Sequence, residues 1–218
     1  MTLRIYESVR QQVLTGALPP GSRLVIRQLA IEHETSDIPV REALRMLQRD
    51  GLVEIIPYRG ARVVMLSPDE IEEGYLIRGH LESLATRTAI GHVTDELFGQ
   101  LDRCMRDMAK ALDRSDSLGY AELNREFHDL IFSASPHRRL QELIDNVWDG
   151  QRGYQMVFRL SPEWLWTSYQ EHKQILQALR EQDEQVAADI SLHHKLRAGQ
   201  ALIDGLHDEA EAREEKGA

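Results

Sequence analysis

Three groups of side chains are spaced to do chemistry. The first is histidine. Of nine histidines, only His33 lies before residue 67. Asn124 and His128 stand four apart, which puts both on one face of a helix. His172 falls in a later helical stretch, and His193-His194 in the last one. Imidazoles from three helices can converge in a bundle core, where bundles build metal sites, and imidazole suits Zn, Ni, Cu or Fe. Spacing alone fits ordinary capped or surface histidines at least as well. Three His ligands with an open position also describe a catalytic zinc site, so a metal-dependent hydrolase with an accessory head is the rival reading. No H-E-x-x-H motif supplies its base, and Glu126, two residues before His128, faces away from it.

The second group is arginine. Residues 1–66 hold nine Arg, no Lys and seven acids, a net charge of +2. The other 17 basic and 29 acidic residues give the remainder −12, for a total of −10. That asymmetry points to two regions with different partners, the Arg-rich one suited to a polyanion. Arg41, Arg45 and Arg49 recur at steps of four along one helical stripe, where arginine reaches phosphates or guanine O6 and N7. A solvated helix face has the same pattern. Ser36 can donate to a phosphate from the helix start. Arg59 stands at a turn, placed for a minor groove, with Gly60 allowing the sharp bend. The third group is Arg78 and Glu82, spaced i,i+4 for an ion pair.

The elements that carry these residues follow from apolar spacing and breakers. Leu3, Tyr6, Val9, Val13 and Leu14 predict a helix ending near Gly16, followed by a turn at Leu18-Pro19-Pro20-Gly21. A short helix fits 26–34. Ser36 caps the next one, with Pro39 in its first turn and Val40, Ala43, Leu44 and Leu47 inside. Residues 52–56 and 61–64 read as two strands joined at 57–60. Ser67-Pro68-Asp69-Glu70 opens a wholly helical remainder, with helices near 68–90, 95–113, 117–134, 137–160, 162–181 and 184–208, and a tail from Glu209 that frays. The predicted fold is mainly α. A winged helix-turn-helix of three helices and a hairpin wing occupies 1–66, and a six-helix antiparallel bundle occupies 67–218.

Chain length, 218 residues with 42% hydrophobic and 28% charged, suits one or two globular domains. A single cysteine, Cys104, excludes an internal disulfide framework. The N-terminus lacks a signal peptide's apolar core, and no run approaches the roughly 20 apolar residues of a membrane span. A cytoplasmic protein without a membrane role is the expectation. Trp148, Tyr154, Trp164 and Trp166 fall on the middle helices and fill the core or line a cavity.

Several runs resemble the GntR family of bacterial transcription regulators. They are G-x-L-x-P-G-x-x-L from Gly16 to Leu24, Leu29-Ala30, Pro39-Val40-Arg41-Glu42-Ala43-Leu44, Asp50-Gly51-Leu52-Val53 and Arg59-Gly60-Ala61-Arg62-Val63. The resemblance implies a dimer on near-palindromic double-stranded operator DNA, with contacts from Arg27, Ser36, Arg41, Arg59 and Gly60. Arg45 joins them on the helix stripe. Asp37 stands where many relatives have Arg. It either accepts from cytosine N4 or only favours the helix N-terminus. The remainder resembles the FadR subfamily in its FCD version, through Arg78-x-x-x-Glu82, Asn124-x-x-x-His128, Glu171-His172-x-x-Ile175 and a last-helix His. That resemblance implies a divalent metal, Zn or Ni foremost, on Asn124, His128, His172 and His194, with His193 as rival to His194. Arg78 becomes the partner of a small carboxylic or sugar acid effector, and the protein a repressor whose helical domain also dimerises.

Overall fold

In the computed structural model every residue is described except 16, 58, 66, 151–156, 159, 160 and 218; for 149, 150 and 213–217 only the backbone is. Two compact units emerge, one built on Met1–Ser67 and one on Pro68–Val147 and Gln155–Ala218.

The first unit starts with α1, Thr2–Leu14, which buries Ile5, Val9, Val13 and Leu14. The inner stripe therefore starts at Ile5. Leu3, expected inside, is exposed, and Tyr6 is only half-buried, its hydroxyl donating to Asp50 Oδ2 at 2.5 Å. α2, Ile26–Glu32, and α3, Asp37–Arg49, form the helix-turn-helix. Glu34 turns the chain between them in the left-handed region (φ 52°), and Thr35 N–H closes on Ala30 O at 2.9 Å. Val40, Ala43, Leu44 and Leu47 of α3 face inward as the spacing requires. Ser36 sits at the N-cap, but its hydroxyl makes no capping bond.

The wing has one strand more than the hairpin expected from sequence. β1, Arg23–Leu24, pairs antiparallel with β3, Gly60–Val63, which pairs with β2, Val53–Ile56, in the order β1-β3-β2. A two-residue strand has no alternation to read. Its presence explains Gly60, whose φ is +93° and whose Cα packs so close to β1 that an added Cβ would lie 2.4 Å from Leu24 O. The positive φ and the neighbouring strand together demand glycine there.

The second unit contains α4 (Pro68–Ala89), α5 (Asp95–Asp113), α6 (Ser117–Ser133), α7 (Arg138–Gly150), α8 (Pro162–Glu181) and α9 (Glu184–Gly217). Thr94 Oγ1 accepts from Leu97 N–H at 3.2 Å, and Asp116 Oδ1 from Gly119 N–H at 2.9 Å. These two caps start α5 and α6 where the sequence places them. Residues 151–160 of the expected fourth helix, including Tyr154, lie wholly or partly outside the described residues. The expected frayed tail is helical through Gly217. Glu209-Ala-Glu-Ala-Arg-Glu-Glu-Lys consists of strong helix formers, so α9 continues beyond its apolar contacts.

α4 and α9 pack closely along small residues. A Cβ on Gly79 would meet Leu192 at 2.9 Å, and one on Gly199 would meet Tyr75 at 2.8 Å. Ser83 Oγ donates to Ala188 O at 2.8 Å, and Thr86 Oγ1 meets Ser191 Oγ at 3.1 Å. This approach brings Arg78 and Glu82 of α4 against the part of α9 that carries His194. Gly60→Ala is expected to destabilise the first unit by about 1–3 kcal/mol through backbone strain and the clash with β1. A lowered denaturation midpoint of the full-length protein checks this; unchanged stability would contradict the β1–β3 packing.

Candidate metal centre and nucleic-acid interface

α6 carries Asn124 and His128 one turn apart, α8 carries His172 and α9 carries His194; all four side chains are buried. One potential ligand atom from each histidine lies within 4.8 Å of the others. His128 Nε2 and His172 Nε2 are 3.2 Å apart. The ring centroids lie 4.7–5.2 Å from one another. Aromatic rings enclose the cluster. Phe127 lies 4.5 Å from His172, and Trp164 stacks on His194 at 5.6 Å. His193 is turned away and exposed, with its Nδ1 donating to Asp189 O at 2.7 Å. The choice between neighbours thus falls to His194, because adjacent helical residues point about 100° apart.

Burial holds all three imidazoles well below their ordinary pKa, and the Lys195 ammonium adds to the effect. They are neutral bases with available lone pairs, the form a metal takes. Glu171 Oε2 accepts from His194 Nδ1 at 2.7 Å, which leaves the lone pair of that ring on Nε2. Arg197 holds the other oxygen of Glu171, from Nε at 2.7 Å and Nη2 at 2.6 Å. Burial pushes the Glu171 carboxyl up, and Arg197 draws it back.

The residues fit a divalent ion. Two nitrogens on one tetrahedral zinc, each about 2.0–2.1 Å from it, lie about 3.3 Å apart; the two Nε2 atoms are 3.2 Å apart. His128 Nδ1, His172 Nδ1 and Asn124 Oδ1 are buried without a hydrogen-bond partner. Buried polar atoms left unpaired are costly, and an ion held by the two Nε2 atoms and Asn124 Oδ1 would relieve that cost at Asn124.

Beside the histidines lies a buried charge network that sequence spacing showed only in part. Arg78 Nε donates to Glu82 Oε1 at 3.0 Å, as the i,i+4 spacing allows. Lys195 Nζ pairs with Glu82 Oε2 at 3.1 Å. Burial pushes the Lys195 ammonium down to about 8, opposed by Glu82. Lys195 was not singled out from sequence. Its only signal is its place directly after His194, and its partner stands 113 positions earlier.

On the first unit, Arg27, Ser36, Asp37, Arg41, Arg45 and Arg59 are all exposed, while Gly60 is half-buried under β1. Arg41 lies 4.0 Å from Asp37, and Arg45 pairs with Glu42 at 2.6 Å. Such exposed pairs contribute about 1 kcal/mol at most and exchange readily for phosphate. Of the tryptophans, Trp148 and Trp164 are buried and Trp166 is 60% exposed. Cys104 is buried, its thiol pushed up to about 12 by burial, so it is unreactive.

Removing the carboxylate charge that orients His194 tests the centre. Glu171→Gln is expected to weaken zinc binding by about 10–100-fold. Competition against a chromophoric chelator measures it, and an unaltered affinity would separate His194 from the ion.

The FCD domain profile matches residues 73–197, and that of the bacterial regulatory proteins of the gntR family matches residues 1–63. An HTH-type transcriptional regulator from the TAR-I ttuE-ttuC' intergenic region of Agrobacterium vitis is 34% identical over 60% of this chain and 78% of its own length. The Bacillus subtilis HTH-type transcriptional regulator YdhC is 27% identical over 88% of this chain and 86% of its own. The solved structure of Escherichia coli McbR/YncC superposes with a TM-score of 0.70 at 25% identity, covering 96% of this chain and 98% of that one. These relatives are transcriptional regulators, and nothing among them supports the hydrolase reading. Among the described residues no helix is long and apolar enough to cross a membrane. With the FCD match alone spanning more than half its length, the chain belongs to the GntR family of bacterial regulatory proteins in its FCD-bearing form and is a DNA-binding transcriptional regulator.

Proposed function

We propose that this regulator is a cytoplasmic repressor that binds a near-palindromic operator as a homodimer and releases it when a small carboxylic or sugar acid occupies its helical domain. The observation that carries the reading is the buried, neutral histidine cluster of His128, His172 and His194. With Asn124 these residues would hold a divalent ion, Zn or Ni, which supplies a Lewis-acid anchor for an anionic ligand. Asn124 brings an amide oxygen in place of a carboxylate, so the four side chains leave the ion's charge uncompensated and favour an anion beside it. Arg78, fixed by Glu82, presents its planar guanidinium as the second anchor for the effector carboxylate. Residues 1–66 form the DNA-binding domain, with Arg27, Ser36, Asp37, Arg41, Arg45, Arg59 and Gly60 at the DNA. Residues 67–218 form the effector and dimerisation domain. A ligand acts by favouring one arrangement of the two DNA heads.

Metal-loaded protein screened against small carboxylic and sugar acids is the direct test. A true effector at 100 times its dissociation constant stabilises by about 2.7 kcal/mol. His172→Ala is expected to abolish metal retention and effector response together, with operator affinity intact. Metal content unaffected by His172→Ala would remove the anchor from this account. Arg41→Ala is expected to cost about 1–3 kcal/mol of operator affinity in equilibrium binding and to relax specificity at one position; affinities for operator and random DNA that are both unchanged by the substitution would displace α3 as the reading helix.

A further inference from the structure

The first turn of α3 carries a large apolar side chain that is mostly exposed. Ile38 is 72% exposed, more than any other large hydrophobic residue described. At about 100° per residue, Val40, Ala43, Leu44 and Leu47 centre almost opposite Ile38 on the helix, within about 10°. Ile38 is therefore the midpoint of the outward face, with Arg41 three residues on and Arg45 seven on along the same side. Its neighbour Asp37 is also exposed. A carboxylate beside phosphates is repelled unless it meets a donor, and the Arg41 guanidinium, 4.0 Å away, only partly offsets its charge.

In helix-turn-helix complexes the N-terminal residues of the second helix reach the base edges. An aliphatic side chain there contacts the 5-methyl group of thymine, and a carboxylate accepts from cytosine N4. We propose that Asp37 and Ile38 read adjoining bases of each operator half-site, a cytosine through its exocyclic amine and a thymine through its methyl group. The assignment rests on α3 being the helix that enters the groove. It gives two exposed residues a base-specific role, where the arginines around them also serve the backbone.

The test uses full-length protein and a random-sequence duplex pool. Selection is expected to enrich a half-site with cytosine beside thymine. Deoxyuridine, which lacks only the methyl group, then replaces each thymine in turn. One thymine per half-site should lose about fourfold in affinity on this exchange, the weight of one methyl group. Ile38→Ala should bind the thymine and uracil duplexes alike. Asp37→Asn should move the selected base from cytosine to adenine, since an amide pairs with adenine N6 and N7. If every thymine is replaceable without loss, or Ile38→Ala still discriminates uracil, the Ile38 assignment is overturned. If Asp37→Asn lowers the melting temperature yet selects the same operator, Asp37 serves the helix terminus alone and its base assignment is overturned. A pool that enriches no sequence overturns the groove-entering role of α3 itself, an outcome distinct from an enriched operator with indifferent thymines.

Discussion

Three imidazoles are buried close to a buried arginine, glutamate and lysine, and this concentration of polar atoms constrains the helical unit. Each buried polar group must be paired, or its desolvation goes uncompensated. Glu171 holds His194, and Arg197 holds Glu171. Glu82 takes Arg78 on one oxygen and Lys195 on the other. These pairs tie α4, α8 and α9 together by directional bonds, where apolar packing alone would permit sliding. The small residues along α4 and α9 let the Lys195–Glu82 pair form at 3.1 Å. Packing and site chemistry are thus the same contacts.

The DNA-binding unit is arranged in the opposite manner. Its core is apolar and the polar side chains proposed to meet DNA are exposed. Arg41 and Arg45 rest against acids on their own helix, in pairs weak enough to be exchanged. Gly60 ties the fold to the proposed contact: the left-handed turn that seats β3 against β1 also holds Arg59 at the wing tip. A substitution there would disturb both, so a loss of DNA binding alone does not identify a contact.

Much of this organisation is legible in the sequence because its signals are local. Caps such as Thr94 and Asp116, and the 3.6-residue periodicity of α3, act within a turn or two and fix element boundaries. The spacing of Asn124 and His128 likewise places them on one face. What escaped was set by distant partners or by weak local preference. β1 exists only because β3 lies beside it, and Lys195 matters because α4 brings Glu82 to it. Leu3 fits the apolar period of α1, yet no neighbour covers it. The tail from Glu209 onward has no apolar stripe, and its helicity comes from composition. That three histidines meet is a fact of tertiary packing, which spacing along the chain can suggest and only the helices can bring about.

If Asn124 serves as the proposed oxygen ligand, its amide bears on which ions compete for the site. Magnesium is a hard ion that prefers oxygen ligands, carboxylates above all, and sheds its water reluctantly. A cavity offering three imidazole nitrogens and one neutral amide gives it little to bind. The same donors suit borderline transition ions, which bind nitrogen more strongly along the late first-row series. On the proposed metal reading, the lack of a carboxylate among these donors would discriminate against the alkaline-earth ions through donor chemistry alone. Occupancy of such a site would follow the supply of a scarce transition metal, and under the proposed mechanism trace-metal status would be a second input to the control of transcription.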